Sequence, residues 1–209
     1  MIWVISGAAL ILCAVFCILF LRGGQKKSVH ALIKCVPGFS CFLLALAGMF
    51  LRSGFTGARA VLCIGLLICT AADWMLEYSF VPGASLFMLA HLCFICAFVS
   101  IGGFVPVVWA FVALSVVLYV LFLRFGRKGA SPSPALLPAA YILLISLMAA
   151  FAFNCGTLFS IGALLFVFSD ALLGARIYAQ ISFRYSGTAV MVLYYAALYL
   201  LALGCVFQV

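Results

Sequence analysis

Long apolar segments separated by short polar connections run along the whole chain. A helix needs about 20 mostly apolar residues to cross the hydrocarbon core of a membrane. On that criterion the sequence predicts eight spans, at about residues 2–21, 31–51, 58–78, 84–101, 104–123, 135–154, 157–176 and 188–207. Helix-breaking residues lie between the spans, at 23–24, 53–54, 82–83, 102–103, 131–134 and 186–187. We therefore expect an all-α integral membrane protein, an eight-helix transmembrane bundle forming one polytopic domain over residues 1–209.

The composition supports this interpretation. Hydrophobic residues make up 70% of the chain, and the mean hydropathy is +1.45, which excludes an ordinary soluble domain. The first span lacks a basic leading segment and a small-residue cleavage site, so we expect it to be retained. The net charge of +8 comes from basic residues in short connections. These residues should contact the anionic headgroups of a lipid bilayer, and we expect no nucleic-acid partner.

The ten cysteines lie mostly within the apolar spans, where a thiol behaves as a small hydrophobic group. Cys93 and Cys96 have the CxxC spacing of a metal site, but they lie within one span and no second pair of ligands accompanies them. With His30 and His91 as the only histidines, we expect no metal site.

The basic residues divide unequally between the two faces of the membrane. The face reached by spans 1, 3, 5 and 7 carries eight or nine of them, namely Arg22, Lys26, Lys27, Arg124, Arg127, Lys128, Arg176, Arg184 and, just inside span 2, Lys34. The opposite face carries two, Arg52 and Arg59. Because basic loops stay in the cytoplasm, both termini should be non-cytoplasmic. We expect the plasma (inner) membrane as the location.

The chain has three acidic residues, Asp73, Glu77 and Asp170, and all three lie in apolar spans. A carboxylate at the centre of a membrane helix costs about 3 kcal/mol on insertion scales, so such residues usually face a bundle interior or a wet cavity. The two aspartates have similar surroundings, Ala-Asp-Trp-Met-Leu at 72–76 and Ser-Asp-Ala-Leu-Leu at 169–173. This similarity indicates one site built around a pair of carboxyl groups, at Asp73 and Asp170.

Other polar residues should lie at the same depth. The expected topology places the three acids near the cytoplasmic ends of spans 3 and 7, and four residues of spans 2, 4 and 8 within about two helical turns of that face. These four are Lys34, His91, Tyr194 and Tyr195. The aspartates are 97 residues apart on spans of the same direction, which also favours two parallel four-helix halves.

Structural roles remain open for several of these residues. Asp73 could pair with Lys34 or Arg176 to lock the bundle, and Glu77 could be hydrated or matched by a loop arginine. His91 could be a hydrogen-bonded packing residue, and the tyrosines could be aromatic packing or interfacial anchors. Ser169 beside Asp170 strengthens the functional interpretation of that acid.

The polar motifs resemble those of the YhhN family of lysoplasmalogenases, which includes transmembrane protein 86. The resemblance covers nearly the whole chain and is carried by residues 70–77, 87–91, 166–173 and 190–197, with Lys34 and Pro37 as a shifted Lys-Pro element. There are departures. The family often has Gly where this chain has Ala72, its Lys and Pro are usually adjacent, and a Gln tends to stand where this chain has Leu198.

The resemblance implies hydrolysis of the vinyl-ether bond of a lysophospholipid, the lysoplasmalogen, to a fatty aldehyde and a glycerophospho-headgroup compound. Two carboxyl groups suit this chemistry, because one can protonate the vinyl ether while the other stabilises the cation and orients water. The catalytic candidates are Asp73 and Asp170, and no cofactor is expected. The substrate-binding or supporting candidates are Lys34, Glu77, His91, Ser169, Arg176, Tyr194 and Tyr195.

Two other classes of function remain. A proton-coupled transporter of small molecules or lipids could use the same intramembrane acids in a relay. A lipid-binding or sensing protein could hold them for structure alone. Release of aldehyde from a lysoplasmalogen separates the enzyme from both.

Overall fold

The computed structural model of the chain describes residues 1–22, 27–104, 106–125, 136–180 and 183–208. Within these ranges it contains eight α-helices and no strand, and a short π-helix at Met49–Ser53 extends the second helix. The helices are α1 (Ile2–Arg22), α2 (Lys27–Gly48), α3 (Gly57–Tyr78), α4 (Phe80–Gly102), α5 (Val108–Phe125), α6 (Leu136–Ala152), α7 (Thr157–Tyr178) and α8 (Ser186–Phe207).

The helical membrane bundle expected from the sequence is confirmed. Six of the described helices are long and apolar enough to cross a membrane, namely α1 to α4, α7 and α8. The apolar parts of α5 and α6, Val108–Arg124 and Leu137–Ala152, are shorter. The protein is therefore a multi-pass membrane protein in which α5 and α6 are the two short members of the bundle.

Two pairs of predicted helix breakers lie at the start of helices. Pro82 and Gly83 were expected to break the chain, but they lie in the first turn of α4. Proline is tolerated there because the first amides of a helix have no intrahelical partner. Ser186 and Gly187, also expected in a connection, begin α8. The predicted breakers at 23–24 and 131–134 lie outside the described residues.

Pro37 lies inside α2, where it removes one backbone hydrogen bond. Side chains of this region bond the neighbouring carbonyls. Tyr195 donates to the Lys34 carbonyl at 3.2 Å, and Ser40 donates to the Pro37 carbonyl at 2.7 Å. The Tyr195 bond connects α2 to α8 beside the proline, and the Ser40 bond lies within α2.

The helices pack in an order that repeats between the two halves of the chain. In the first half α1 packs on α2, α2 on α3 and α3 on α4; in the second half α5 packs on α6, α6 on α7 and α7 on α8. The two largest contacts between the halves are α2 on α8 and α4 on α6, and α8 also packs on α1 and α3. In each of the two largest contacts, the second helix of one half meets the fourth helix of the other. A four-plus-four pseudo-repeat has this arrangement, and duplication itself stays a prediction.

The helix ends form two layers. In one, which we call the basic end, the last residues of α1, α3, α5 and α7 meet the first residues of α2, α4, α6 and α8. Tyr178 of α7 contacts Phe80 of α4 and Phe122 of α5 there, with ring centroids 6.1 and 5.1 Å apart. At the opposite end Trp3 stacks near Phe207 at 4.7 Å, so both ends of the chain lie together. Lys26, Arg127 and Lys128 of the predicted basic face lie outside the described residues.

Candidate active site

Asp73 lies near the basic end of α3 and is 2% exposed. Its Oδ2 accepts a hydrogen bond of 2.8 Å from the Tyr194 hydroxyl on α8. Gly38 of α2 packs beside this carboxyl, because a Cβ there would be in ordinary van der Waals contact with Asp73 Oδ2, at 3.5 Å, and in tight contact with Thr70 Oγ1, at 3.0 Å. Residues of three helices thus enclose the Asp73 carboxyl.

Lys34 does not bond Asp73, although that pairing was an open possibility. Its ammonium lies 3.4 Å from Glu77 Oε2, and it is 7% exposed. The other Glu77 oxygen lies 3.0 Å from His30 Nδ1. Glu77 therefore holds two basic side chains of α2 at the basic end, one turn beyond Asp73.

Asp170 has a different set of partners. The Tyr141 hydroxyl of α6 donates a 2.5 Å hydrogen bond to its Oδ2. The Nε2 of His91, on α4, lies 3.7 Å from the same oxygen. His91 is fully buried, and neither of its ring nitrogens has a hydrogen-bond partner among the described residues. Three helices, α4, α6 and α7, therefore meet at this carboxyl.

A series of ring contacts links the two carboxyl groups. Tyr194, bonded to Asp73, contacts the ring of Phe166 at 5.4 Å. Phe166 contacts the His91 ring at 4.8 Å, and His91 faces Asp170. Aromatic rings thus connect the surroundings of the two aspartates.

An apolar cavity of about 360 Å³ lies among α4, α5, α6 and α7, with Leu76 of α3 at its edge. Along α7 and the residue after it, the lining runs from Val167 to Ala179, at the basic end. Among the described residues that line it, Asp170 is the one charged side chain, and Tyr141 lines it beside Asp170. Asp73 is not part of this lining, so this cavity does not by itself join the two carboxyl groups of the predicted pair.

Two further predicted site residues have structural contacts. Ser169 donates to the Val190 carbonyl at 3.0 Å, which fixes α7 to α8. Arg176 lies against the start of α8, where a Cβ on Gly187 would be 3.3 Å from Arg176 Nη1. Neither residue lines the cavity. Their roles toward a substrate stay predictions.

The sequence interpretation missed Tyr141 and the partnership of His30 with Glu77. Tyr141 is one of two hydroxyl-bearing residues, with Ser146, in a largely apolar span, which was a usable signal. His30 precedes the predicted start of span 2 and was considered only as a metal ligand. The described residues contain no group of three His, Cys, Asp or Glu side chains that could hold a metal ion.

Comparison with known proteins adds the family. The YhhN family model matches residues 29–205, which include Lys34, both aspartates, His91 and the tyrosine pair. The chain belongs to the YhhN family. The resemblance drawn from the motifs is thereby confirmed.

Curated relatives with this similarity are lysoplasmalogenases by name. Lysoplasmalogenase TMEM86B of Homo sapiens is 31% identical over 195 residues, which cover 92% of this chain and 82% of the relative. The proteins of the same name from Sus scrofa and Rattus norvegicus are 29% and 28% identical, over 92% and 93% of this chain and 82% and 81% of their own lengths. No solved structure matches the chain.

Proposed function

We propose that this YhhN protein is a lysoplasmalogenase, which hydrolyses the vinyl-ether bond of a lysoplasmalogen within the membrane. The observation that carries the proposal is the Asp170 carboxyl, the one charged side chain among the described residues that line a largely apolar cavity. The names of the relatives supply the substrate class. A single-chain lipid fits such a cavity because its alkenyl chain is apolar and its reactive bond needs only acid and water.

The chemistry requires a proton donor beside the alkenyl carbon. Protonation of the β carbon gives an oxocarbenium-like cation, which water captures at the carbon bonded to oxygen. The resulting hemiacetal divides into a fatty aldehyde and the glycerophospho-headgroup compound. Carboxyl groups perform the related steps on glycosidic bonds, as acid and as stabiliser of the cation. Asp170 and Asp73 are the candidates for these roles.

The orientation of the substrate follows from the two ends of the bundle. Asp170 lies nine residues from Ala179, or about 14 Å from the basic end at the rise of an α-helix. A phosphate headgroup would remain near the basic end, where Lys34, Arg176 and Arg184 are the candidate cations, and the chain would extend inward. With the positive-inside rule, this end faces the cytoplasm and the active site opens on that side.

Release of aldehyde from a defined lipid tests the function. Detergent-purified protein should release fatty aldehyde from a lysoplasmenyl lipid and none from the matched lysolipid with a saturated 1-alkyl ether, which lacks the double bond to be protonated. An Asp170→Asn variant should lose roughly 10²–10⁴-fold in turnover.

Two outcomes would contradict the proposal. One is folded wild-type protein that releases no aldehyde. The other is an Asp170→Asn variant with undiminished turnover. Absence of aldehyde, together with proton movement across proteoliposomes that requires the two aspartates, would favour the transporter interpretation.

A further inference from the structure

The two aspartates have unequal access to the cavity. Asp170 lines it, and its Oδ2 is held by the Tyr141 hydroxyl at 2.5 Å. The described residues form no hydrogen bond to its Oδ1, so that oxygen is left for a substrate. Asp73 lies behind the cavity wall, where its Oδ2 is bonded to Tyr194. A group must touch the reacting atoms to transfer a proton, so the two carboxyls are not equivalent in this fold.

His91 adds a second polar group to the Asp170 side. It is fully buried, its ring lies 4.8 Å from Phe166 and 5.6 Å from Tyr141, and both ring nitrogens lack a hydrogen-bond partner in the described part of the chain. Burying such a group without a hydrogen-bond partner costs free energy. Its retention in the core therefore calls for an explanation, and a role at the site supplies one. Its Nε2 is 3.7 Å from Asp170 Oδ2, just beyond a hydrogen bond, and such contacts often shorten when a substrate is bound.

Asp73 reaches the cavity through other residues. Tyr194, which donates to Asp73, contacts Phe87 with ring centroids 5.7 Å apart. Phe87 lines the cavity. The hydrogen bond from Tyr194 to Asp73 therefore fixes a ring that supports the cavity wall, which is a structural task at a distance from the reacting bond.

Accepting the proposed function, we propose that Asp170 is the proton donor, that Tyr141 and His91 position it and stabilise the carboxylate formed, and that Asp73 is a positioning residue acting through Tyr194 and Phe87. The neutral Asp170 carboxyl passes its proton to the β carbon of the vinyl ether. Negative charge then develops on Asp170 while the oxocarbenium forms. Water adds to the carbon bonded to oxygen, and its released proton returns to Asp170, so the acid is regenerated as the hemiacetal forms.

Tyr141→Phe tests the assignment because it deletes one hydroxyl and keeps the ring. Without that donor the carboxylate formed in the transition state is less stable, so kcat should fall roughly 10- to 100-fold, the loss typical of a hydrogen bond to a charged group. The KM should change little, because the ring still lines the cavity. The matched control is Tyr199→Phe, which deletes a hydroxyl bonded to Ser6 at 2.7 Å, outside the cavity lining. This control should keep wild-type kcat.

A pair of amide variants keeps the test decisive if Tyr141→Phe fails to fold. Asp170→Asn should lose more than 100-fold in kcat. Asp73→Asn should lose less than tenfold in kcat, with its main effects on KM and on the melting temperature. Two results would overturn the division of roles: equal losses of kcat in both amide variants at unchanged KM, or a Tyr141→Phe variant as active as Tyr199→Phe. In either case, aldehyde release by the wild type would still support the proposed function. An inactive wild type would instead refute the function itself.

Discussion

At the scale of single residues, Glu77 has a role that its position alone did not reveal. It binds His30 and Lys34 at once, at 3.0 and 3.4 Å. Lys34 is 7% exposed, and a buried ammonium without a counter-charge is strongly unfavourable. The Glu77 carboxylate, which is still partly exposed, therefore stabilises the start of α2 against the end of α3.

Replacing Glu77 with glutamine should therefore affect stability more than chemistry. Glu77→Gln leaves the buried Lys34 without its anion, and we expect the free energy of unfolding to fall by about 1–3 kcal/mol, less than for a fully buried pair. Turnover in the folded fraction should fall far less than in Asp170→Asn. Thermal unfolding in detergent, read beside the aldehyde assay, measures both.

A double variant supplies the control for this pair. Lys34→Met together with Glu77→Met removes both charges. The free energy of unfolding should therefore fall by less in the double variant than by the sum of the losses in the two single variants. Strictly additive losses would show that the two side chains are not coupled.

At the scale of helices, close packing of α3 on α4 holds Asp73 and His91 at their depth. Gly83 allows this approach, because a Cβ there would lie 2.8 Å from the backbone nitrogen of Leu76 and 2.7 Å from its Cγ. Small residues permit such backbone contacts between membrane helices. The Pro82-Gly83 pair therefore serves to start and pack α4 rather than to end a helix.

Substituting this glycine should separate the two helices. Gly83→Ala places a methyl group against backbone, so we expect a loss of about 1–3 kcal/mol in stability. Gly7→Ala is the matched control, because nothing lies within 4 Å of a Cβ at that helical position, and alanine is the better helix former. Unfolding temperatures that fall equally for both variants would contradict the packing argument.

At the scale of the whole molecule, the antiparallel order of the helices gives the bundle a basic end and an end that carries both termini. Trp3 of α1 contacts Phe207 of α8, so the two termini are on the same side. The polar groups of the site, from Lys34 to Tyr194, lie toward the other end. The side of the membrane that the basic end faces therefore decides the side from which a substrate reaches the cavity.

A measurement of membrane topology determines which side the basic end faces. If the basic end lies in the cytoplasm, the end of α8 lies on the opposite side. A phosphatase that is active only in the periplasm should then be active when it is fused after α8. A fluorescent protein that folds only in the cytoplasm should remain dark at the same position. Reversed signals at this terminus would place the active site on the non-cytoplasmic side.

The sequence by itself determined the class of fold, and it predicted the depth of the polar residues. Long apolar segments within a membrane can satisfy their backbone groups as helices, and the alternating direction of eight successive helices predicts which residues share a layer. Asp73, Asp170, His91 and Tyr194 were found in this way, because an ionisable or polar group in an apolar span stands out against its neighbours. Local rules erred at Pro82, where the same residue type can end one helix or begin the next.

Only the tertiary structure decided which of these residues meet. Depth along a helix says nothing about its rotation or its neighbours, which depend on packing among all eight helices. That packing pairs Lys34 with Glu77 rather than with Asp73, and it places the Tyr194 hydroxyl in a hydrogen bond to Asp73. It also placed Tyr141, 29 residues from Asp170 in sequence, on the carboxyl that lines the cavity. Two aspartates in similar sequence thus have different surroundings, because α4 and α6 enclose one of them and α2 and α8 the other.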